Sequence, residues 1–330
     1  MKRRELITLL GGAAAMWPLG SSAQQSGGIK RIGVLMAYAE TDSQAQGYFN
    51  AFRDELQKLG WAEGRNIRID TRWAALDPEA MQGFAKELVA LQPDLILSQI
   101  TPTTAALLQQ TRTIPIVFGM VADPIGSGFV ATFSRPGGNV TGFVTSEGSL
   151  GGKWVELLKE VAPRIKRVAM LFNPILATFA DFYLKPFEAA AASFAMEAVS
   201  ALVRDTSELE TVVAALAREP DSGLVVLPDS FTDSHRAEIT SLAVRHRLPG
   251  VYPYRFYAEL GGLLSYGVDL PDNFRRAATY ADRILKGAKP SELPVQAPIK
   301  FERVINLKTA KALGLEISPM LLARADSIIE

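Results

Sequence analysis

The sequence predicts an α/β protein made of two similar, doubly wound lobes, and three observations carry that prediction. Apolar runs of strand length alternate with longer stretches of helical periodicity along nearly the whole chain. The strand-like runs are rich in Ile, Val and Leu with little polar alternation, as in parallel strands covered on both faces. Finally, the plan repeats. Lys30-Arg31-Ile32-Gly33-Val34-Leu35-Met36 returns as Lys166-Arg167-Val168-Ala169-Met170-Leu171-Phe172. Leu95-Ile96-Leu97 returns as Leu224-Val225-Val226, and Ile114-Pro115-Ile116-Val117-Phe118 as Leu248-Pro249-Gly250-Val251-Tyr252. Buried strands resemble one another in any α/β protein, but three landmarks at a nearly constant offset point to two βαβαβ units in tandem. Two such Rossmann-like lobes leave a cleft between them, where a small molecule can bind.

Local signals give the elements in order. Residues 31–36 read as a buried strand. A helix over 43–59 sets Ala45, Phe49, Phe52, Leu56 and Leu59 on one face and stops at Gly60. Residues 66–73 alternate Ile67 and Ile69 with polar residues, as a strand does. A helix over 78–91 and a strand over 94–98 follow. Thr101-Pro102 opens the next helix, 102–110, with a Thr cap and Pro at the first helical position. Residues 115–118 and 139–144 are strands, the second being the last before the chain changes lobe. The pattern then repeats as helix 153–161, strand 167–172, helix 180–194, strand 197–203, helix 208–218, strand 223–227 and helix 233–245. A strand-like run at 261–270 suits a second passage between lobes. Helix 272–286, a Pro-rich connector at 290–298, strand 299–306 and helix 308–313 complete the chain. The second repeat is finished near Tyr252, so some of these last elements return to the first lobe. The expected partition is 29–143 with 268–298 in lobe one, and 144–267 with 299–330 in lobe two. Several crossing segments make a multi-stranded hinge that lets the lobes bend over a ligand.

Residues 1–23 read as an export signal rather than as part of the fold. Lys2, Arg3 and Arg4 form a basic start, and residues 6–16 are an apolar stretch too short to span a bilayer. Ser21-Ser22-Ala23 supplies small residues for cleavage after Ala23. Arg3-Arg4-Glu5-Leu6-Ile7 resembles a twin-arginine signal, with the general secretory route as the alternative. The expected location is the periplasm.

Composition narrows the function classes. Lys plus Arg number 35 and Asp plus Glu 35, so there is no electrostatic case for nucleic acid or an acidic membrane surface. The absence of cysteine removes disulfides, thiol catalysis and thiolate metal sites. The two histidines, His235 and His246, fall in or beside a polar helix without a metal-site companion pattern. No Gly-x-Ser-x-Gly elbow and no phosphate-binding loop motif occur. Gly126-Ser127-Gly128-Phe129-Val130-Ala131 fits a relaxed dinucleotide pattern, but it lies well past the strand ending at Phe118 instead of on the turn directly after it. The reading is therefore a binding protein with no cofactor and no metal. A ligand-presenting sensor subunit and an exported α/β enzyme are the alternatives.

In open α/β sheets ligands sit beyond the carboxyl ends of the strands, where helix amino termini converge and favour anions. In lobe one those ends carry Tyr38, Gln99, Thr101 and Asp123. In lobe two they carry Asn173, Asp229, Ser230 and Tyr254, and Tyr266 lies on the hinge run. Thr101 with nearby amides is assigned to a carboxylate, and Asn173 and Asp229 to a polar or amino group. Tyr38, Tyr254 and Tyr266 are assigned to flat apolar contact. Each has a plainer alternative: Thr101 as a helix cap, Asn173 as a brace for the turn before Pro174, Asp229 as a solvated turn residue, and each tyrosine as ordinary packing. Arg255 is expected at the surface.

The chain also resembles a known family. The residues that carry the resemblance are the start, Met1-Lys2-Arg3-Arg4-Glu5-Leu6-Ile7-Thr8-Leu9-Leu10-Gly11-Gly12, then Asp123-Pro124 and Arg135-Pro136-Gly137-Gly138-Asn139-Val140-Thr141-Gly142. Further on they are Leu264-Ser265-Tyr266-Gly267, Arg283-Ile284-Leu285-Lys286-Gly287-Ala288-Lys289-Pro290 and Ile305-Asn306-Leu307-Lys308-Thr309-Ala310-Lys311. Over essentially its whole length the chain resembles a periplasmic solute-binding protein of an ABC importer, of the tryptophan/tyrosine-type family. The resemblance implies the type I periplasmic-binding-protein fold and a small ligand, an aromatic or other amino-acid-like carboxylate. It also implies a membrane permease as partner, no catalysis, and a monomer.

Overall fold

Asp77-Pro78 shows how the sequence starts a helix in this protein. The Asp77 carboxylate accepts from the Glu79 and Ala80 N–H groups at 2.8 and 3.3 Å, and Pro78 stands where no N–H is needed. Asp42 and Asp205 cap two other helices in the same way. A computed structural model describes residues 28–145 and 147–330; the export-signal reading of 1–23 lies outside the described residues.

The first half runs β1 (Lys30–Met36), α1 (Ser43–Lys58), β2 (Ile67–Trp73), α2 (Pro78–Ala90), β3 (Leu95–Ile100), α3 (Thr101–Gln110), β4 (Ile116–Val121) and β5 (Val140–Val144). These five strands form one parallel sheet in the order β2-β1-β3-β4-β5. Every residue of β3, β4 and β5 is buried, as continuous apolar runs between two helical layers require.

The second half runs α4 (Leu150–Val161), β6 (Arg167–Phe172), α5 (Ala180–Ser193), β7 (Glu197–Leu202), α6 (Thr206–Arg218), β8 (Ser222–Val226), α7 (Ser230–Ser234), α8 (Arg236–Arg245), β9 (Gly250–Tyr252), α9 (Arg255–Glu259) and β10 (Leu264–Val268). Its parallel strands are ordered β7-β6-β8-β9-β10, the same winding as in the first sheet. The repeated sequence landmarks occupy equivalent strands, β1 with β6, β3 with β8 and β4 with β9. The chain is thus two doubly wound α/β lobes.

The remaining elements divide between the lobes. Helix α10 (Leu270–Leu285) lies against the first sheet: Phe274 stacks on Tyr48 at 5.3 Å, and Asn273 Nδ2 donates to the Gly119 and Val144 carbonyls at 3.1 Å each. The connector that follows runs beside β5, with Thr141 Oγ1 donating to Leu293 O at 2.6 Å and Val144 N to Gln296 O at 3.0 Å. Strand β11 (Phe301–Asn306) then pairs antiparallel with β10, and β12 (Ser327–Ile329) pairs with β11 at the edge of the second sheet. Between them lie α11 (Leu307–Ala312) and α12 (Pro319–Ala323). Three segments therefore cross between the lobes: from β5 to α4, from β10 to α10, and from the connector to β11.

Two elements differ from the sequence-based expectation. The single helix expected over 233–245 is two helices, α7 and α8, meeting at His235. Asp229 causes this by capping a turn that starts before Asp233, its Oδ1 accepting from Phe231 N at 2.8 Å and Thr232 N at 2.9 Å. Thr101 is the first residue of α3 and not its cap. Thr103 takes over the capping work, its Oγ1 accepting from Ile100 N at 3.0 Å. Among the described residues no helix is long and apolar enough to cross a membrane.

Candidate functional site

Each sheet reverses its winding between its first and third strands, so the loops leaving β1 and β3, and those leaving β6 and β8, part to opposite sides. A crevice opens where they part. The two crevices face each other across a narrow cleft with about 30 Å³ of free space. Lobe one contributes Tyr38 from the end of β1, Ile100, Thr101 and Pro102 from the β3–α3 joint, Met120 from β4 and Thr145 from the end of β5. Lobe two contributes Leu176 and Phe179 from the loop after β6, Asp229, Ser230 and Asp233 after β8, and Tyr254 after β9.

Five of the sequence-selected residues therefore line the cleft together: Tyr38, Thr101, Asp229, Ser230 and Tyr254. Four do not. Gln99 is fully buried and ties two strand ends, its Oε1 accepting from Ala37 N at 2.8 Å. The Asp123 carboxylate closes its own turn onto Gly126 N at 2.8 Å and lines a separate, more open cavity with Lys185 and Asp181. Asn173 is consumed locally: Oδ1 accepts from Ile175 N and Leu176 N at 2.9 and 3.0 Å, and Nδ2 donates to Arg204 O at 2.9 Å. It thereby shapes the loop that carries Leu176 and Phe179 into the cleft. Tyr266 stacks on Phe301 at 5.8 Å under the Arg303 guanidinium, and its carbonyl accepts the Trp154 indole N–H at 2.7 Å. Arg255, at the surface, pairs with Glu259 and Glu302.

The electrostatic centre is a residue the sequence reading placed only at a helix start. Asp233 is buried, and its two carboxylate oxygens accept from hydroxyls of both lobes: Tyr38 OH of lobe one at 3.1 Å and Tyr257 OH of lobe two at 3.0 Å. Burial and the negative charge of Asp229 raise its pKa to about 7, against the pull of the two hydroxyls and Arg236. Asp229 is also raised by burial, to about 6, although three N–H groups hold its charged form: Phe231, Thr232 and Asn173, the last at 2.9 Å to Oδ2. Burial and the Asp233 charge keep the Tyr38 and Tyr254 hydroxyls well above the usual tyrosine range, so both stay neutral donors. A weak signal for Asp233 exists in the sequence. It stands four residues after Asp229, one helical turn on, so the two carboxylates share a face.

The raised carboxyl has a pH consequence. Between the ordinary value of 3.8 and about 7 the folded protein holds a proton at Asp233 that the unfolded chain has released. Folding takes up protons there, so this contribution to stability is full below that window and fades as pH rises through it. Melting temperatures of wild type and Asp233→Asn, followed from about pH 5 to about pH 8, are expected to diverge in one direction, wild type losing ground as pH rises. A difference independent of pH contradicts the assignment.

The chain was compared with known proteins. It is 27% identical over 289 residues to a tyrosine-binding protein of Clostridioides difficile, covering 87% of this chain and 81% of that one. It superposes with a TM-score of 0.85 on an ABC domain from Streptococcus pneumoniae solved in complex with L-Trp, at 26% identity, covering 92% of this chain and all of that one. Against a ligand-free, open substrate-binding protein from Clostridium difficile the score is 0.70, at 25% identity, covering 92% and 99% of the two chains. In this protein the Tyr38–Asp233 hydrogen bond joins the two lobes, which are drawn together. The two doubly wound lobes and these structural matches bear out the type I periplasmic-binding-protein fold that the resemblance implied. A family model described as ABC transporter substrate binding protein matches residues 32–329, almost the whole of the described chain. The chain therefore belongs to the ABC transporter substrate binding protein family.

Proposed function

We propose that this protein is exported, captures an amino acid with an aromatic side chain or a closely related carboxylate between its lobes, and passes it to the permease of an ABC importer. The observation that carries this reading is the cleft itself. It combines a ten-residue helix opening at Thr101, a buried carboxylate at Asp233 and aromatic walls, with both lobes contributing. The amino terminus of α3 presents backbone N–H groups and the positive end of the helix dipole, which suit a ligand carboxylate. Asp233 uses one lone pair on each oxygen for its tyrosines, and the remaining pairs suit an ammonium group. Tyr38, Phe179 and Tyr254 give flat apolar contact, and Ile100, Met120 and Leu176 fill the space around them. Thr145 lines the cleft together with Tyr254. Asp229 and Asn173 serve as the frame that holds α7 and the adjoining loop in place.

A ligand held by α3 from one lobe and Asp233 from the other touches all its partners only when the lobes are together. That difference in affinity drives closure. The tyrosine and L-Trp named for two relatives support the ligand class, and family membership supports the permease partner. The reading of residues 1–23 supports export, and the lack of nucleophile and phosphate motifs supports binding without turnover.

A thermal-shift panel of tyrosine, tryptophan, phenylalanine, aliphatic amino acids, pentoses and polyols tests the ligand class. Aromatic amino acids at about 100 times their dissociation constant are expected to stabilise the protein by about 2.7 kcal/mol, with sugars and polyols inert. Stabilisation by a sugar or polyol, with none from any amino acid, overturns the reading.

A further inference from the structure

We propose that Asp42 and Arg236 form a clasp that holds the two lobes together and sets ligand affinity without touching the ligand. Asp42 stands in the loop leaving β1 of lobe one, and Arg236 opens α8 of lobe two. Arg236 Nη2 lies 2.8 Å from Asp42 Oδ2, with only 18% and 16% of the two side chains exposed. An exposed ion pair is worth little, but here both side chains are mostly buried and both partners are held in place before they meet. Asp42 is fixed by its other oxygen, which accepts from Gln44 N and Ala45 N at 3.0 and 2.9 Å. Arg236 is fixed by donating through Nη1 to Asp233 O at 2.7 Å and by lying over the Phe256 ring, 5.4 Å from its centre. Neither has to surrender much side-chain freedom on pairing.

The position of the pair gives it its role. Asp42 and Arg236 line a cavity on the outer flank of the molecule with Ala75, Leu76 and Leu260, and neither lines the ligand cleft. Tyr38 lines both spaces, and its hydroxyl bond to Asp233 is the inner counterpart of the outer ion pair. Lobe one thus offers Tyr38 and Asp42, and lobe two offers Asp233 and Arg236, as two ties from one loop to the junction of α7 and α8. An interaction present only when the lobes are together shifts the open–closed equilibrium. Apparent affinity then changes by the fraction of molecules able to bind.

The clasp rests on the ligand reading above only for the choice of ligand, and two measurements separate the two. Asp42→Asn keeps an oxygen to cap α1 while removing the charge that Arg236 needs. Small-angle X-ray scattering of ligand-free wild type and Asp42→Asn is expected to show a larger radius of gyration for the variant, with unchanged circular dichroism. Superimposable scattering curves overturn the clasp whatever the ligand proves to be. If Asp42→Asn does not fold, Arg236→Gln decides by the same comparison. With an aromatic amino acid, each single variant is expected to bind about tenfold more weakly, through faster dissociation, and the double variant no more weakly than either single. Affinities within about twofold of wild type, or losses that add in the double variant, also overturn it. Failure of wild type to bind any amino acid overturns the ligand reading and leaves the scattering comparison to decide the clasp.

Discussion

Replacing Asp233 by alanine is expected to weaken ligand binding about 100-fold, or about 3 kcal/mol. Two losses combine. The Tyr38 and Tyr257 hydroxyls, which donate to the carboxylate at 3.1 and 3.0 Å, are left without their buried acceptor. On the proposed reading, the ammonium group of an amino-acid ligand also loses the counter-charge of a buried carboxylate. Conservative variants divide the effect. Asp233→Asn keeps one acceptor oxygen but cannot neutralise an ammonium group, so most of the loss should remain. Tyr38→Phe removes only the interlobe tie and should cost about fivefold. Isothermal titration calorimetry of the three variants against the best aromatic ligand reads these values directly. An Asp233→Ala affinity within about threefold of wild type removes this residue from the binding machinery.

The largest stability effect is expected at Gly267. A Cβ added there falls 1.7 Å from the Pro253 carbonyl oxygen and 2.9 Å from its carbon, and backbone atoms cannot rotate out of the way as a side chain can. Strand β10 has no freedom to retreat. It is paired with β9 on one side and β11 on the other, and the Trp154 indole holds the Tyr266 carbonyl next to it. Gly267→Ala should therefore cost about 4 kcal/mol or more, read as a lowered urea midpoint or as loss of soluble protein. The strain reaches the site as well, because Pro253 adjoins Tyr254 in the cleft wall. Gly83→Ala is the contrasting control. An added methyl meets nothing within 4 Å inside α2, and replacing a helical glycine should raise stability by up to about 1 kcal/mol. If both substitutions shift the midpoint alike, close backbone approach is not what requires glycine at 267.

Much of the architecture is written locally. Continuous apolar runs announce β3, β4 and β8 because a strand covered on both faces needs no polar alternation. The structure adds that Asp77, Asp42 and Asp205 cap helix starts, because a short carboxylate reaches the free N–H groups of its own first turn. The repeat of Lys30–Met36 at residues 166–172 gives a second lobe wound like the first. Once the winding is known, the ends of the strands give the neighbourhood of the cleft, and Tyr38, Thr101, Asp229, Ser230 and Tyr254 follow from it.

The use of each strand-end side chain is not written locally. Asn173 and Thr101 occupy comparable positions in the sequence pattern, yet one is spent on its own loop and the other faces the cleft. Helix α10 follows β10 directly but packs on the other lobe, because Phe274 finds Tyr48 and Asn273 finds the Gly119 and Val144 carbonyls there. Asp233 carries only a weak local mark, its spacing from Asp229, since its partner Tyr38 is 195 residues away. The sequence by itself determined two doubly wound lobes and the loops that meet between them, because strand periodicity and helix capping act over a few residues. Only the tertiary structure decided which carboxylate stands at the centre of the cleft and which pair clasps its flank, because burial and hydrogen bonding between lobes depend on residues brought together from opposite halves of the chain.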